Sequence, residues 1–484
     1  MDRFKLITEY IKDEIRGSRF DNHVFAVGGS VRDLLMKNTI KDIDLVIDIE
    51  NGGVEFAKFC MERGLLTHDV VIYERFGTAM FKFTEFPDDE IECVMTRGEK
   101  YPDRNSRNPE TVFAGIEEDC IRRDLTINAL YYNISTGEIV DMVGGLKDIE
   151  DKVIRTTNEN PDIVFDDDPL RVLRVVRFAT RYGWEIESKT YASMKKYVDR
   201  LEIISKERIK DEFNKILLSD NATMGIRTLC DIGAMKYIIP EVNEMIGMEQ
   251  NAFHFGDVFE HTMALLDYDT KHFKDGDFAV RLALLLHDIG KIRTRSVGDD
   301  GRVHFYDHEF VGSEMVVDIL KRLKYDNKTI DTVQFLVKNH MRTKSFGNDC
   351  EKIKPKSFNK LAYTCKNVYL YKALARVIDC DNNSHKKEHN ITGQYDYFVN
   401  HMRMREALKM FNYKLPVNGN DVMDVLNISG GLLVKKVLDI LLNRAFPNPD
   451  TLTRESCLKQ IPKIAMEILK KEKKLFVENF CKFE

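Results

Sequence analysis

Strand-like sequence in this 484-residue chain is confined to its first third. Short runs rich in β-branched and aromatic residues alternate with helix-like stretches between about residues 24 and 155. These runs are HVFAVGG at 23–29, DIDLVID at 42–48, AMFKF at 79–83 and IECVM at 91–95. From Pro169 onward helical periodicity takes over and strand signals become scarce. This asymmetry predicts an α+β head with a mixed sheet followed by a long all-α body. The length exceeds what one hydrophobic core supports, so two to four domains are expected. Residues 1–20 read as an amphipathic helix. The polar segment 97–117, which carries two prolines, reads as a mobile loop inside the head.

Composition excludes some classes of function. Apolar residues make up 43% and charged residues 31%, as in ordinary globular proteins. No apolar run reaches 18 residues, and the N-terminus lacks the apolar centre of a signal peptide, so no membrane partner is expected. Nine scattered cysteines without a CxxC pair read as free thiols of a reducing cytoplasm. The net charge of −6 decides little, because an acidic protein can still carry one basic face.

Two features of the head carry chemistry. The apolar strand Val24–Val27 runs into Gly28-Gly29, where the absence of side chains lets a triphosphate approach the backbone. Ser30 and Asp33 then open a helix whose amides favour an anion, and Arg32 can add a charged contact. Thirteen residues past Gly29 comes Asp42-Ile43-Asp44. On a strand, residues i and i+2 share a face, so both carboxylates project together and repel unless a cation, most naturally Mg²⁺ with a nucleotide, lies between them. Glu92, alternating with Ile91 and Cys93 on a strand pattern, is the candidate third carboxylate.

GG-x-VRD followed by DID resembles the signature of class II tRNA nucleotidyltransferases and bacterial poly(A) polymerases, of the polymerase-β-like superfamily. Arg122-Arg123-Asp124-Leu125-Thr126-Ile127-Asn128-Ala129 resembles that family's RRDFTINA, with leucine at the phenylalanine position. Asp141-Met142-Val143-Gly144-Gly145-Leu146-Lys147-Asp148 resembles its D-x-x-GG-x-x-D. The likeness spans roughly residues 20–240. It implies a polymerase-β-like head with Asp42 and Asp44 as metal ligands. It also implies nucleotide contacts from Gly28, Gly29, Arg32, Arg123, Asp124 and Asn128.

The segment Asp166-Asp167-Asp168-Pro169-Leu170-Arg171 starts a helix, with Asp168 and Pro169 as a suitable N-cap and first-turn pair. At 100° per residue, Arg171, Arg174 and Arg181 fall within roughly 80° of arc. Such a stripe requires an anion or acids to compensate it. Val172, Leu173, Val175 and Val176 imply that the helix is largely buried. By the resemblance this is the family's EDxxR motif, here Asp167-Asp168-x-x-Arg171, whose acid and arginine read the incoming base, with Arg174 and Arg177 alongside. An aspartate can accept from the exocyclic amine that C and A share, and Arg171 can donate to cytosine O2 and N3, which favours CTP and ATP. The aspartate at 167, one methylene short of glutamate, is the departure from the pattern.

Most histidines cluster between His254 and His389. The apolar helix Leu282–Leu286 ends in His287-Asp288-Ile289-Gly290-Lys291. His261 lies upstream, and His308, His340 and Asp379/Asp381 lie downstream. The order H…HD…D resembles the HD phosphohydrolases, and His308 and His340 fit their dinuclear variant. Imidazole with carboxylate suits a divalent transition metal or Mg²⁺. Asp381 is favoured over Asp379 as the last ligand. His254, His304, His385 and His389 read as surface or packing residues.

The expected organisation is a head at 1–155, a helical neck and body at 156–250, an HD domain at 251–395 and a helical tail at 396–484. The expected activity is addition of the 3′-terminal CCA to tRNA from CTP and ATP, without a DNA partner. The alternatives are A-adding, CC-adding or poly(A) synthesis, or an HD phosphohydrolase with an inert head. Lys463, Lys470, Lys471, Lys473 and Lys474 near the end read as a solvated face, with RNA phosphate as the alternative.

Overall fold

The computed structural model describes residues 3–40, 42–67, 70–74, 77–100, 110–250, 256–342, 354–384, 393–399 and 403–480. The chain divides into two compact units, Met1–Asn243 and Glu244–Glu484.

In the first unit, helix α1 (Arg3–Ile15) buries Phe4, Ile7, Ile11 and Ile15, one face at helical spacing. Then come β1 (Val24–Val27), α2 (Gly29–Leu35), β2 (Ile43–Ile47), α3 (Gly52–Glu62), β3 (Val71–Tyr73), β4 (Thr78–Phe83) and β5 (Phe86–Met95). The head continues through β6 (Arg97–Lys100), β7 (Glu110–Phe113), α4 (Ile116–Ile121), β8 (Leu130–Asn133), β9 (Ile139–Asp141) and α5 (Gly145–Asp151). Seven strands form one mixed sheet in the order β3-β4-β5-β2-β1-β8-β9. Its β2–β5 pair is parallel and the other neighbours are antiparallel. Residues of α1 and α3 pack with Ala26, Leu45, Phe81 and Ile91 in one core. Phe25, Val27, Val46, Cys120 and Tyr131 form a second. This alternation along β1 and β2 is the period-2 pattern expected of a sheet covered on both sides.

The segment 97–117 differs from the expected loop. Its ends pair as β6 and β7, with Arg97 opposite Phe113 and Lys100 opposite Glu110, and α4 follows. Asp119 anchors the start of that pair by accepting from the Arg97 amide at 3.2 Å. Residues 101–109 lie outside the described residues.

After the short β10 (Val153–Ile154) come α6 (Pro161–Asp167), α7 (Leu170–Tyr182), β11 (Glu185–Ile186), α8 (Ser188–Tyr197), α9 (Lys206–Leu217), α10 (Ala222–Asp231), α11 (Met235–Ile238) and α12 (Pro240–Asn243). The α7 residues Val172, Leu173, Val175 and Val176 are fully buried. Helix α7 ends at Gly183, whose φ of +66° is the left-handed closure that glycine adopts without strain.

Among its described residues, the second unit is helical apart from one hairpin. It holds α13 (Val258–His272), α14 (Phe278–Leu286), α15 (Lys291–Thr294), the antiparallel β12 (Arg295–Val297) and β13 (Val303–Phe305), α16 (His308–Arg322), α17 (Asn327–Asn339), α18 (Pro355–Cys365) and α19 (Val368–Asn382). Further helices lead to α22 (Gly419–Leu426), α23 (Leu432–Ala445) and α24 (Arg454–Phe480), whose Val422, Val437, Leu441, Ile461 and Ile464 make a core of their own. Lys463, Lys470, Lys471 and Lys473 are exposed on α24, and the side chain of Lys474 lies outside the described set. No described helix is long and apolar enough to cross a membrane. The seven described cysteines are unbonded.

Candidate active site and candidate metal centre

The head site is assembled by strand register. Asp44 on β2 lies opposite Val27 of β1 on one side and opposite Glu92 of β5 on the other. Directly paired residues point to the same face, so the Asp44 and Glu92 carboxylates stand side by side. Asp42 differs slightly from expectation. It precedes the strand rather than lying on it, and is exposed. Asp42 and Asp44 nevertheless line one pocket of about 300 Å³ with Gly29, Ser30, Arg32, Asp33, Thr39, Ile40 and Arg181. Burial, then the charges of Glu92 and Asp42, push the Asp44 carboxyl up to about 6, against the opposing pull of Arg123. Carboxylates crowded until one resists ionisation are a donor set that a divalent cation relieves, so the residues fit the Mg²⁺ expected of them.

The glycine turn is real: Gly28 has φ +70°, and a Cβ there would meet Arg123 Nη1 at 3.7 Å. Helix α2 opens at Gly29, with the Ser30 hydroxyl donating to Val27 O at 3.0 Å. Arg32 is only 4% exposed. It binds both Asp33 oxygens, at 3.2 and 3.0 Å, and donates to Asn128 Oδ1 at 2.5 Å. Its guanidinium lies over the Phe178 and Tyr182 rings of α7. Asn128 donates in turn to Asp124 Oδ1 at 3.2 Å, and Asp124 Oδ2 takes Arg174 Nε at 2.6 Å. One hydrogen-bonded chain, Asp33–Arg32–Asn128–Asp124–Arg174, thus joins the glycine turn, the RRDLTINA segment and α7. Three motifs spaced far apart in sequence converge on one place.

The arginine stripe of α7 is compensated by acids. Arg174 faces Asp124, Arg177 Nη1 lies 2.9 Å from Glu212 Oε1 of α9, and Arg181 lies 3.8 Å from Asp33. Arg171 is buried, with Nη1 3.5 Å from Val164 O. Helix α7 begins at Leu170, one residue later than read, and Asp168 makes the expected cap: the Leu170 amide donates to its Oδ1 at 3.0 Å. Asp168 also takes Arg208 of α9 at 2.9 Å. Asp167 ends α6, one residue before that cap.

Sequence reasoning missed several residues. Asp119, fully buried, takes Arg122 at 2.6 Å, Arg123 at 2.9 Å and the Tyr131 hydroxyl at 2.6 Å. Burial alone would raise its carboxyl, but the charges of Arg123 and Arg122 outweigh that and hold it at about 2. The signal was present as the i, i+3, i+4 spacing of Asp119, Arg122 and Arg123 on one helical turn. Glu212 carried no comparable local signal. The D-x-x-GG-x-x-D segment is a fold device: the Asp141 carboxylate accepts from the amides of Val143, Gly144, Gly145 and Leu146.

The second unit brings all its expected ligands together. His261 Nε2 lies 3.2 Å from Asp381 Oδ1 and 3.9 Å from Asp288 Oδ2. His287 Nε2 is 3.1 Å from Asp288 Oδ2, while His308 and His340 lie 3.3 and 3.9 Å from Asp288 Oδ1. Two sets of ligand atoms lie close enough to hold an ion, His261/His287/Asp288 and Asp288/His308/His340, with Asp288 common to both. Each Nδ1 lies against a backbone carbonyl: Ser384 for His261, Leu284 for His287, Phe305 for His308 and Val337 for His340. That fixes the tautomer and aims every Nε2 inward, the outer-shell arrangement of metal-binding imidazoles. Among the described residues, the Nε2 atoms of His287, His308 and His340 are buried and have no hydrogen-bond partner of good geometry. Buried nitrogens left unpaired are costly unless something absent from the chain takes them, so the set fits divalent metal.

Burial pushes His261 down to about 4 and His340 to about 3, so both stay neutral at neutral pH, the form in which an imidazole can take a metal. Burial opposes the charged form of His287 as well, but the Asp288 charge wins and raises it. Lys291, unassigned in the sequence reading, places Nζ 2.6 Å from Asp288 Oδ2. Asp379 lies elsewhere, accepting from Tyr268 Oη and the Tyr395 amide at 3.2 Å each. His304 stacks on Tyr306 and belongs to neither ligand set, and His254, His385 and His389 lie outside the described residues.

Comparison with known proteins agrees with this geometry. Residues 24–155 match the poly(A) polymerase head domain family, and 183–246 the "probable RNA and SrmB-binding site of polymerase A". Residues 258–365 match the HD domain. The chain is 36% identical over 232 residues to an A-adding tRNA nucleotidyltransferase of Deinococcus radiodurans, spanning 47% of this chain and about half (52%) of that relative. It is 30% identical over 331 residues to the multifunctional CCA protein of Acinetobacter baumannii, covering 66% of this chain and 74% of that one. In fold it is similar to the Bacillus stearothermophilus CCA-adding enzyme solved with CTP, with TM-score 0.66, 19% identity and coverage of 98% and 100%. It is also similar to the Thermotoga maritima CCA-adding enzyme solved with tRNA, with TM-score 0.57, 21% identity and 96% coverage of each chain. The chain belongs to the family of CCA-adding tRNA nucleotidyltransferases, with a poly(A) polymerase head and an HD domain.

Proposed function

We propose that this enzyme adds the 3′-terminal CCA to tRNA from CTP and ATP, and that Asp42 and Asp44, with Glu92 beside them, are its catalytic carboxylates. The observation that carries the reading is Asp44, in register with Glu92 of β5, lining one pocket with Asp42 and with Gly29 and Arg32 of the glycine turn and its helix. A Mg²⁺ ion at Asp42 and Asp44 would lower the pKa of the primer 3′-hydroxyl and neutralise the departing pyrophosphate. The chain's own residues do the rest. Gly28 and Gly29 let the triphosphate approach the backbone, and Arg32 and Arg123 supply positive charge beside it. Arg171 and Asp167 read the base edge. Asp168 fixes the start of their helix, and Asp124 and Asn128 hold Arg174 and Arg32 in place. Arg174 and Arg177, anchored on Asp124 and Glu212, complete the nucleotide-binding wall.

In this reading residues 1–155 perform the chemistry and 156–250 select the nucleotide and bind RNA. Residues 251–395 form an HD domain that hydrolyses phosphoesters, and 396–484 form a helical tail. A divalent transition metal or Mg²⁺ at His261, His287, Asp288, His308, His340 and Asp381 would activate water for that hydrolysis. Imidazoles make up most of the donors, which favours the transition metal. Unbonded cysteines suit a cytoplasmic enzyme. The A-adding name of the Deinococcus radiodurans relative favours addition of A alone as the second reading.

The test is nucleotide incorporation into tRNA lacking its 3′ end. Asp42→Ala should abolish it while circular dichroism stays native, and near-normal incorporation would remove the assignment.

A further inference from the structure

Asp119 is a fully buried carboxylate that the proposed chemistry does not use, and each of its oxygens has a separate task. Oδ1 takes Arg122 Nη2 at 2.6 Å, Arg122 Nε at 3.0 Å and the Arg97 amide at 3.2 Å. Oδ2 takes Arg123 Nη2 at 2.9 Å, Arg123 Nε at 3.2 Å and the Tyr131 hydroxyl at 2.6 Å. Tyr131 Oη also accepts from Arg123 Nε at 3.0 Å, and its ring lies under the guanidinium.

Two of the three guanidinium nitrogens of Arg123 are thereby fixed. The third, Nη1, is the one that lies 3.7 Å from where a Cβ of Gly28 would stand. The guanidinium is planar, so fixing two nitrogens fixes the direction of the third. We propose that Asp119 is a positioning residue: with Tyr131 it locks the Arg123 guanidinium so that Nη1 faces the Gly28 turn, where the triphosphate would lie. A fully buried carboxylate shared by two arginines would be an expensive way to hold a helical turn alone. Here it sets a cation's direction at the edge of the carboxylate site, and Arg123 is near enough to Asp44 to oppose the rise of its carboxyl.

This inference rests on the reading that Arg123 contacts the nucleotide, and a double-mutant cycle separates the two. KM and kcat would be measured for CTP and ATP, and KM for tRNA, in Asp119→Asn, Arg123→Ala and the double variant. Asp119→Asn should raise the nucleotide KM about tenfold, the scale of a hydrogen bond to a charged group. It should leave kcat within about threefold and KM for tRNA unchanged. On the Arg123→Ala background it should add nothing. Tyr131→Phe removes one hydroxyl and keeps the ring, so it serves if Asp119→Asn does not fold, and it should raise the nucleotide KM in the same direction by a smaller factor. If Arg123→Ala leaves the nucleotide KM unchanged, the reading of Arg123 fails. If Arg123→Ala raises it while Asp119→Asn and Tyr131→Phe do not, or if the Asp119→Asn effect persists undiminished without Arg123, the positioning role is wrong.

Discussion

The carboxylate site of the head and the histidine cluster of the second unit are both candidate metal sites, built on opposite principles. In the head, the donors are oxygens, with Asp42 exposed, in a pocket of about 300 Å³. The charges around it are already paired, arginine by arginine, and what remains, only partly offset by Arg123, is the repulsion among Asp42, Asp44 and Glu92. Such a site suits a hard ion that arrives with its substrate and leaves with pyrophosphate. The second cluster is closed: four imidazoles and two carboxylates, all buried, with every Nδ1 held by a carbonyl before any ion is bound. Such a site suits a resident ion. The difference teaches that ligand type alone does not describe a metal site; exposure and prior orientation decide whether the ion exchanges.

The sharpest way to break this comparison is to remove one donor from each side. Asp44→Ala should reduce nucleotide addition by roughly a thousandfold or more, the scale of several kcal/mol of metal-borne charge stabilisation. Metal bound to the purified protein should stay unchanged. His287→Ala should do the reverse, lowering bound metal by mass spectrometry while nucleotide addition persists. If either variant affects both readouts equally, the two sites are not independent.

Titration sharpens the contrast, because the two sites respond to pH with opposite signs. Asp44 has a folded-state pKa of about 6, above the ordinary 3.8, so its contribution to stability is present at low pH and lost as pH rises through 6. In chelator at pH 8, Asp44→Asn should therefore melt higher than wild type, and the advantage should shrink as pH falls below 6 and vanish below about pH 4. His261 and His340 are depressed to about 4 and 3, so their contribution is present above pH 6.5 and is lost as pH falls toward 4. Bound metal measured after dialysis should fall across that window, with His287, shifted the other way, protonating first. Retention of the metal at pH 4 would argue against imidazole ligation.

The smallest effect expected is on nucleotide choice. Arg171→Ala should narrow the preference for CTP and ATP over UTP and GTP by about 1–3 kcal/mol in kcat/KM, the worth of one bidentate contact. Arg32→Ala should weaken all four nucleotides together. It should also lower the melting temperature, since Arg32 is buried between Asp33, Asn128 and two aromatic rings of α7. A common factor for all four nucleotides in Arg171→Ala would assign Arg171 to phosphate or to structure.

Much of this was legible in the sequence because it is local. The Gly28-Gly29 turn, the alternation around Asp44 and Glu92, and the His287-Asp288 pair each occupy a few residues whose spacing carries the geometry. The long-range partners were not legible. No local pattern shows that Arg32 meets Asn128 or that Arg177 meets Glu212, since the first follows from how α2 packs beside the turn before β8 and the second from how α7 packs on α9. The β6–β7 pair was missed for the same reason: its polar, proline-bearing sequence reads as a loop, and a buried carboxylate from α4 holds its start. The choice between Asp379 and Asp381 needed helix phase, which turns Asp381 toward His261 and Asp379 toward Tyr268.

The central claim is that one carboxylate site, steered by the α7 arginines, adds C, C and A in order without a template. The direct measurement is sequencing of the 3′ ends made by the wild-type enzyme from tRNA lacking its terminus, with all four nucleotides present at equal concentration. The account predicts products ending in CCA, with U and G rare and no extension beyond the terminal A. Products carrying A alone, CC alone or a long A tract would contradict it.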